Sequence, residues 1–238
     1  MPKQTESNAG SIRARVRAEM TDEIKAVARR HIAGEGAALS LRAVARDMGM
    51  VSSALYRYFR NRDELLTALI LDAYNSMGDA VEAADAAVAD RSDLLGRWLA
   101  VAHTLRNWAL LRPHEYALIY GSPVPGYAAP QDTVEPATRP VLVLGAILAD
   151  ANAAGVLAAE EHPLPVPPAL AKEIATIADL VGATVSGPAM ARGLIAWTEL
   201  FGAISFELFG RIANTIDQRD AWYDHQVRVM ARFVGLPG

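Results

Sequence analysis

Residues 39–66, LSLRAVARDMGMVSSALYRYFRNRDELL, constrain this chain more than any other stretch. Two short helical patterns meet at one glycine. Ser40 is a good N-cap for the first, with Val44, Ala45 and Met48 facing inward. Gly49 suits a tight turn. The second runs from about Ser52 to Phe59. Asn61 then caps a long helix that opens with Asp63 and Glu64, where the helix dipole favours acids. Tyr56, Tyr58 and Phe59 share this span with Arg57, Arg60 and Arg62. A buried helix does not carry so many arginines, and a merely solvated one does not carry three rings. One face must pack while another meets something charged.

The rest of the chain reads as helix too. Apolar residues make up 52% of it, rich in Ala and Leu and without strand-like alternation. The expected order begins with a disordered arm over 1–11 and a helix from Ile12 to Gly34. Beyond the stretch above, the long helix runs on to about residue 84. LLGRWLAVAHTLRNWALL is an amphipathic helix, and Pro113 starts a short one. A loop, GSPVPGYAAPQDTVEPATRP, precedes a helix from about Thr138 to Ala159, with Pro140 in its first turn or kinking it. EEHPLPVPP reads as a rigid linker, followed by two helices, an apolar helix from Pro188 to Gly210 and a last one over Asp220–Val234. No apolar run reaches ~18 uninterrupted residues, so no membrane span is expected. The absence of Cys excludes disulfides and thiol chemistry and suits a reducing cytoplasm. No catalytic motif, phosphate-binding glycine loop or metal cluster is legible, so no enzyme activity, cofactor or metal is expected.

The formal charge of −4 hides an asymmetry. Residues 1–62 hold 12 Lys and Arg against 6 Asp and Glu, a balance of +6; residues 63–238 hold 11 against 21, a balance of −10. A basic head on an acidic body points to a polyanion as the head's partner. Helix, glycine turn and helix is the helix-turn-helix pattern, whose second helix enters the major groove of double-stranded DNA. Ser52, Ser53 and Ala54 on its first turn let the backbone approach bases. Arg42, Tyr56, Arg57, Tyr58 and Arg62 supply donors for phosphate oxygens. Leu55 and Phe59 are expected in the core. Tyr56 admits both a phosphate and a core reading, and Arg13, Arg15 and Arg17 either reach phosphate or are solvated. A helical hairpin at a protein interface is the plain alternative.

This stretch resembles the TetR family of bacterial transcriptional regulators. The residues that fit its pattern are Ala45, Gly49, Leu55, Tyr56, Tyr58, Phe59, Arg62, Glu64, Leu65 and Leu66. Met50 and Val51 stand where the family often has a capping Ser or Thr, so Ser52 or Ser53 is expected to cap instead. PHEYALIYGSPVPGYAAPQDT and AWTELFG look like the ligand domain of the subgroup marked by a Trp–His–Gly signature, with Leu200, Phe201 and Gly202 in that region.

The resemblance implies an all-α chain of about nine to ten helices. Residues 12–60 would form a helix-turn-helix DNA-binding domain and residues 61–238 a ligand-binding and dimerisation domain. It implies a repressor released from a near-palindromic operator by a small apolar or amphipathic molecule. Trp98, His103, Trp108, Tyr116, Tyr120, Tyr127, Trp197 and Phe201 could line its pocket, or be plain core with His103 a satisfied core histidine. The last two helices would form a homodimer through Leu194, Trp197, Thr198, Phe201, Ile204 and Leu208. The rival is a dimeric DNA-binding regulator with no ligand. Activation rather than repression also remains open.

Overall fold

The computed structural model describes residues 3–35, 39–158, 164–182 and 184–237, and of residues 3–11 and 35 the backbone alone. The last residues of the expected GEGA break and the first of the EEHPLPVPP linker therefore lie outside the described residues. Ten α-helices, two short 3-10 turns and no strand are present among the described residues. None of these helices is long and apolar enough to cross a membrane. The chain divides into two compact units, Met1–Ala73 with His114–Thr133, and Tyr74–Pro113 with Val134–Gly238. The expected boundary at residue 60 falls inside the first.

In the first unit, α1 (Lys3–Glu35), α2 (Leu41–Asp47) and α3 (Ser52–Leu55) pack with the start of α4 (Arg62–Ala87), and α6 (Pro113–Tyr120) belongs with them. α1 begins nine residues before the expected start at Ile12. Nothing between Lys3 and Ile12 forbids a helix, and Gly10 costs only about 1 kcal/mol there. Ile24, Val27, Ala28 and Ile32 form its buried face. Towards α4, Lys25 and Arg29 both reach Asp72, and Arg29 stands 3.6 Å from Glu115.

The second unit holds the rest of α4, α5 (Leu94–Leu111), α7 (Val134–Ala153), α8 (Ala171–Leu180), α9 (Gly187–Leu208) and α10 (Arg219–Val234). α5 packs on α7, α9 and α10, while α9 also packs on α7, α8 and α10. α7 starts and ends earlier than the expected 138–159. Pro136 lies in its first turn, where the N–H groups have no helical partner, whereas Pro140 lies not in the first turn but inside the helix, where it removes one intrahelical bond. Gly155 ends it in the left-handed region, φ +69°, and the Val156 and Gly155 amides close onto Ala151 and Asn152. Between the linker and α9 stands one α-helix preceded by a 3-10 turn, not two helices.

Candidate nucleic-acid interface

The head is assembled from short-range signals. Ser40 Oγ accepts from the Ala43 amide and starts α2. Gly49, at φ +64°, ends it: its amide bonds Arg46 and the Met50 amide bonds Ala45, the paired closure of a left-handed helix stop. Asn61 Oδ1 accepts from the Glu64 amide at 2.8 Å, and the Glu64 carboxylate accepts the Arg60 amide at 2.6 Å. The two residues thereby satisfy N–H groups on both sides of the α4 start.

The α3 boundaries differ from expectation. Val51, not Ser52 or Ser53, occupies the N-cap and makes no side-chain cap bond. Ser52 is the first helical residue. The regular helix stops at Leu55, because the Arg57 and Tyr58 amides bond three residues back and tighten the backbone into a turn. Leu55 is fully buried and Phe59 is 5% exposed, as the core reading required. Around those anchors Arg42, Ser53, Tyr56 and Arg57 are exposed, and Ser52, Ala54, Tyr58 and Arg62 are half-buried. Tyr56 is 43% exposed and so is not core. Arg17 of α1 lies over the Tyr58 ring, 5.2 Å from its centroid.

The rings expected to line a pocket divide between the two units. Tyr116, Tyr120 and Tyr127 belong to the first unit, although the chain order suggested the body. There Tyr116 is buried and stacks obliquely on Tyr120, with centroids 5.2 Å apart, and Tyr127 Oη lies 2.9 Å from Thr67 Oγ1.

In the second unit, Trp98 and Trp108 are buried and each has its indole N–H satisfied, by the Val227 carbonyl and Ser76 Oγ. His103 Nε2 lies 3.1 Å from Asp224, whose carboxylate also accepts from Arg228; the Arg228 bond is the main reason its pKa is lowered. Trp197 meets Phe201 edge to face at 6.0 Å. Trp98 and Trp197 do share one cavity, closed by Leu144, Leu148, Ile177, Val181 and Met190, but its volume is only about 20 Å³.

The outward face of α9 is also not the expected one. Ile204 and Phe201 are buried inside the unit, at 1% and 8% exposure, and Leu194, Trp197 and Leu208 are half-buried. Thr198 alone of the expected dimer residues is exposed. The exposed apolar stripe is Ile195 and Phe206, and it continues onto α10 through Trp222, Val229 and Phe233. A groove of about 390 Å³ runs between Ile195 on α9 and Trp222, His225, Val229 and Phe233 on α10. α9 is apolar on more than one side, so periodicity marked the helix without marking which side is inward.

Of the three buried arginines in this unit, Arg97, Arg106 and Arg192, none had a sequence signal, and the first two are held by carboxylates. Arg97 meets Asp85 and Asp150 at 2.7 and 2.6 Å. Arg106 grips Glu207 with two bonds of 2.7 Å and also reaches Asp220. Hydrogen bonding to Glu207, against the opposing effect of burial, raises the Arg106 guanidinium above its already high pKa.

These features agree with comparisons to known proteins. Residues 24–69 match the family model for bacterial regulatory proteins of the tetR family, and residues 98–230 match the tetracyclin repressor-like C-terminal domain. The chain is 40% identical over 223 residues to the HTH-type transcriptional regulator Rv1816 of Mycobacterium tuberculosis, covering 90% of this chain and 92% of that one. The regulator Mb1846 of Mycobacterium bovis matches with the same identity and coverage. Among solved structures, the regulatory protein SCO4313 is 37% identical, with a TM-score of 0.74 over 91% of this chain and 97% of that one. PfmR of Thermus thermophilus, a TetR family regulator, shares the fold at 18% identity and a TM-score of 0.56, covering 90% and 99%. With both its head and its body matched, the chain belongs to the TetR family and is a helix-turn-helix, DNA-binding transcriptional regulator, not an enzyme.

Proposed function

We propose that this regulator is a cytoplasmic repressor that binds a near-palindromic operator as a homodimer and leaves it when a small apolar or amphipathic molecule enters its second unit. The observation that carries the operator reading is the split within α3 and its turn. Leu55 and Phe59 are buried while Ser53, Tyr56 and Arg57 stand in solvent. Ser52, Ser53 and Ala54 are small enough for the backbone to approach base edges, and Arg42, Tyr56, Arg57, Tyr58 and Arg62 donate to phosphates around them. Two copies related by a two-fold axis read two half-sites, hence the palindrome.

The exposed stripe of Ile195, Phe206, Trp222, Val229 and Phe233 supports the homodimer, since these residues leave an apolar face that a second copy would cover. The apolar residues around Trp98 and Trp197 would suit an uncharged effector if the core opened to admit one. Such a molecule acts only through unequal affinity for two states, and α4 is the element that both units share. The runs PHEYALIYGSPVPGYAAPQDT and AWTELFG support assigning the body to the Trp–His–Gly subgroup.

One observation favours a second reading, in which the dimer regulates without a ligand: about 20 Å³ has room for a single water, so the core is nearly filled. The test selects binding sites from random duplexes with the full chain and then titrates apolar aromatic compounds against the selected site. A palindrome released by one compound class supports the repressor reading. A palindrome that no compound releases favours the second, and a single unrepeated half-site would remove the dimer.

A further inference from the structure

Three arginines, Arg13, Arg15 and Arg17, stand on α1 ahead of the head, and their surroundings separate them. Arg15 is committed along its own helix to Glu19, 3.6 Å away, with both side chains well exposed. Arg17 is committed to the head instead. Its Nη2 donates to the Arg57 carbonyl at 3.0 Å, and its guanidinium lies over the Tyr58 ring at 5.2 Å. No carboxylate pairs with it among the described residues, and it remains exposed beside the exposed Arg57.

A guanidinium has five N–H donors in a rigid fork. Here one donor is spent on a carbonyl and the plane is steadied by a ring, which leaves the others facing solvent in a fixed direction. An exposed cation–ring contact is worth only about 0.5–1 kcal/mol, so it explains the orientation better than it explains any need for the residue in the fold. A pre-oriented arginine loses less side-chain entropy when it grips an anion than a free one does. The anion available beside Tyr56 and Arg57 is the operator's backbone.

We propose that Arg17 is a phosphate contact outside the helix-turn-helix, gripping the DNA backbone next to the bases that α3 reads. Arg13, one turn earlier on the same face, is exposed and extends the contact in the same direction. Arg15 takes no part. The operator footprint is then wider than α2 and α3 alone require. This rests on the reading of the head as the DNA-contacting unit, and the experiment separates the two.

The test is binding of the full chain to a labelled duplex carrying the selected site, measured from ~50 to ~200 mM salt. Arg17→Gln lowers the slope of log affinity against log salt by about 0.9 per bound head, as expected for one lost phosphate contact. Arg17→Lys keeps the slope and loses affinity, because the charge survives and the fork does not. Arg15→Gln leaves both at wild type. A weaker Arg17→Gln complex with an unchanged slope would make Arg17 a brace for the Tyr58 turn and overturn the proposal. An equal fall in Arg15→Gln would also overturn it, by showing a general charge effect. Arg57→Gln reports on the head itself. If its slope stays at wild type while that of Arg17→Gln falls, Arg57 is not a phosphate contact and the Arg17 contact stands. If Arg57→Gln falls and Arg17→Gln does not, the Arg17 contact fails and the head reading stands.

Discussion

The two compact units differ in arginine burial: the second seals some of its arginines inside, and among the described residues the first seals none. In the first, Arg42, Arg46, Arg57 and Arg60 lie in solvent, and the Arg60 side chain is 87% exposed. In the second, Arg97 and Arg106 are nearly sealed from solvent and each is paired with two carboxylates. The first unit keeps these arginines in solvent, while the second buries Arg97 and Arg106 against carboxylates and leaves others, such as Arg211 and Arg219, exposed. A cation in solvent is available to a polyanion; a buried one is a structural tie whose value depends on both partners being present.

The comparison breaks first, and most visibly, at Arg106. Arg106→Ala leaves Glu207 buried without its partner and should cost about 3–5 kcal/mol in urea unfolding. Replacing both together, Arg106→Met with Glu207→Leu, should recover most of that loss or exceed wild type by about 1–4 kcal/mol. If the single variant unfolds like wild type, the tie is not what holds α5 to α9.

A smaller effect is expected from pH. Burial pushes the Asp85 carboxyl up, but hydrogen bonds from Arg97 and Arg91 outweigh it and its pKa is lowered in the fold. A group depressed on folding contributes stability above its unfolded value, about 3.9, and loses it as pH falls through the folded one. The melting temperature of Asp85→Asn should therefore lie below wild type near neutral pH, with the gap closing as pH drops below about 4. A gap independent of pH would mean that the Asp85 carboxylate's charge contributes nothing.

Smaller again is the head's own punctuation. Gly49→Ala forces a Cβ into the left-handed region at φ +64° and should cost about 1–2 kcal/mol, read as loss of head protection in hydrogen exchange. There is open space around that position, so strain in the backbone and not a clash is what the variant measures.

What was legible in the sequence follows the same division. Ser40, Gly49 and Asn61 act on amides within five residues of themselves, and Leu55 and Phe59 repeat at helical spacing, so a linear reading finds them. Arg97 and Asp150 are 53 residues apart and Arg106 and Glu207 are 101 apart. No local pattern pairs them. The outward face of α9 was misread for a related reason. Ile204 and Ile195 are equally apolar, and only the helices packed against α9 decide that the first is buried and the second exposed. The end of α7 was available locally, since Gly155 stops it in the way that Gly49 stops α2.

The smallest change in stability belongs to the arginine that the fold does not use. Arg42 is exposed on α2, so Arg42→Gln should shift unfolding by no more than about 0.5 kcal/mol. Its effect on DNA should nevertheless be plain. If Arg42 donates to a phosphate, the variant binds every sequence more weakly by a similar factor, and the salt slope falls by about 0.9 per bound head without any change in sequence preference. A change in preference would make Arg42 a reader of bases, and an unchanged slope would return it to solvent. Set beside Arg106→Ala, it isolates what the comparison claims. On this reading Arg42 is dispensable to the fold and grips the operator, whereas Arg106 is buried and held in place by Glu207 and Asp220.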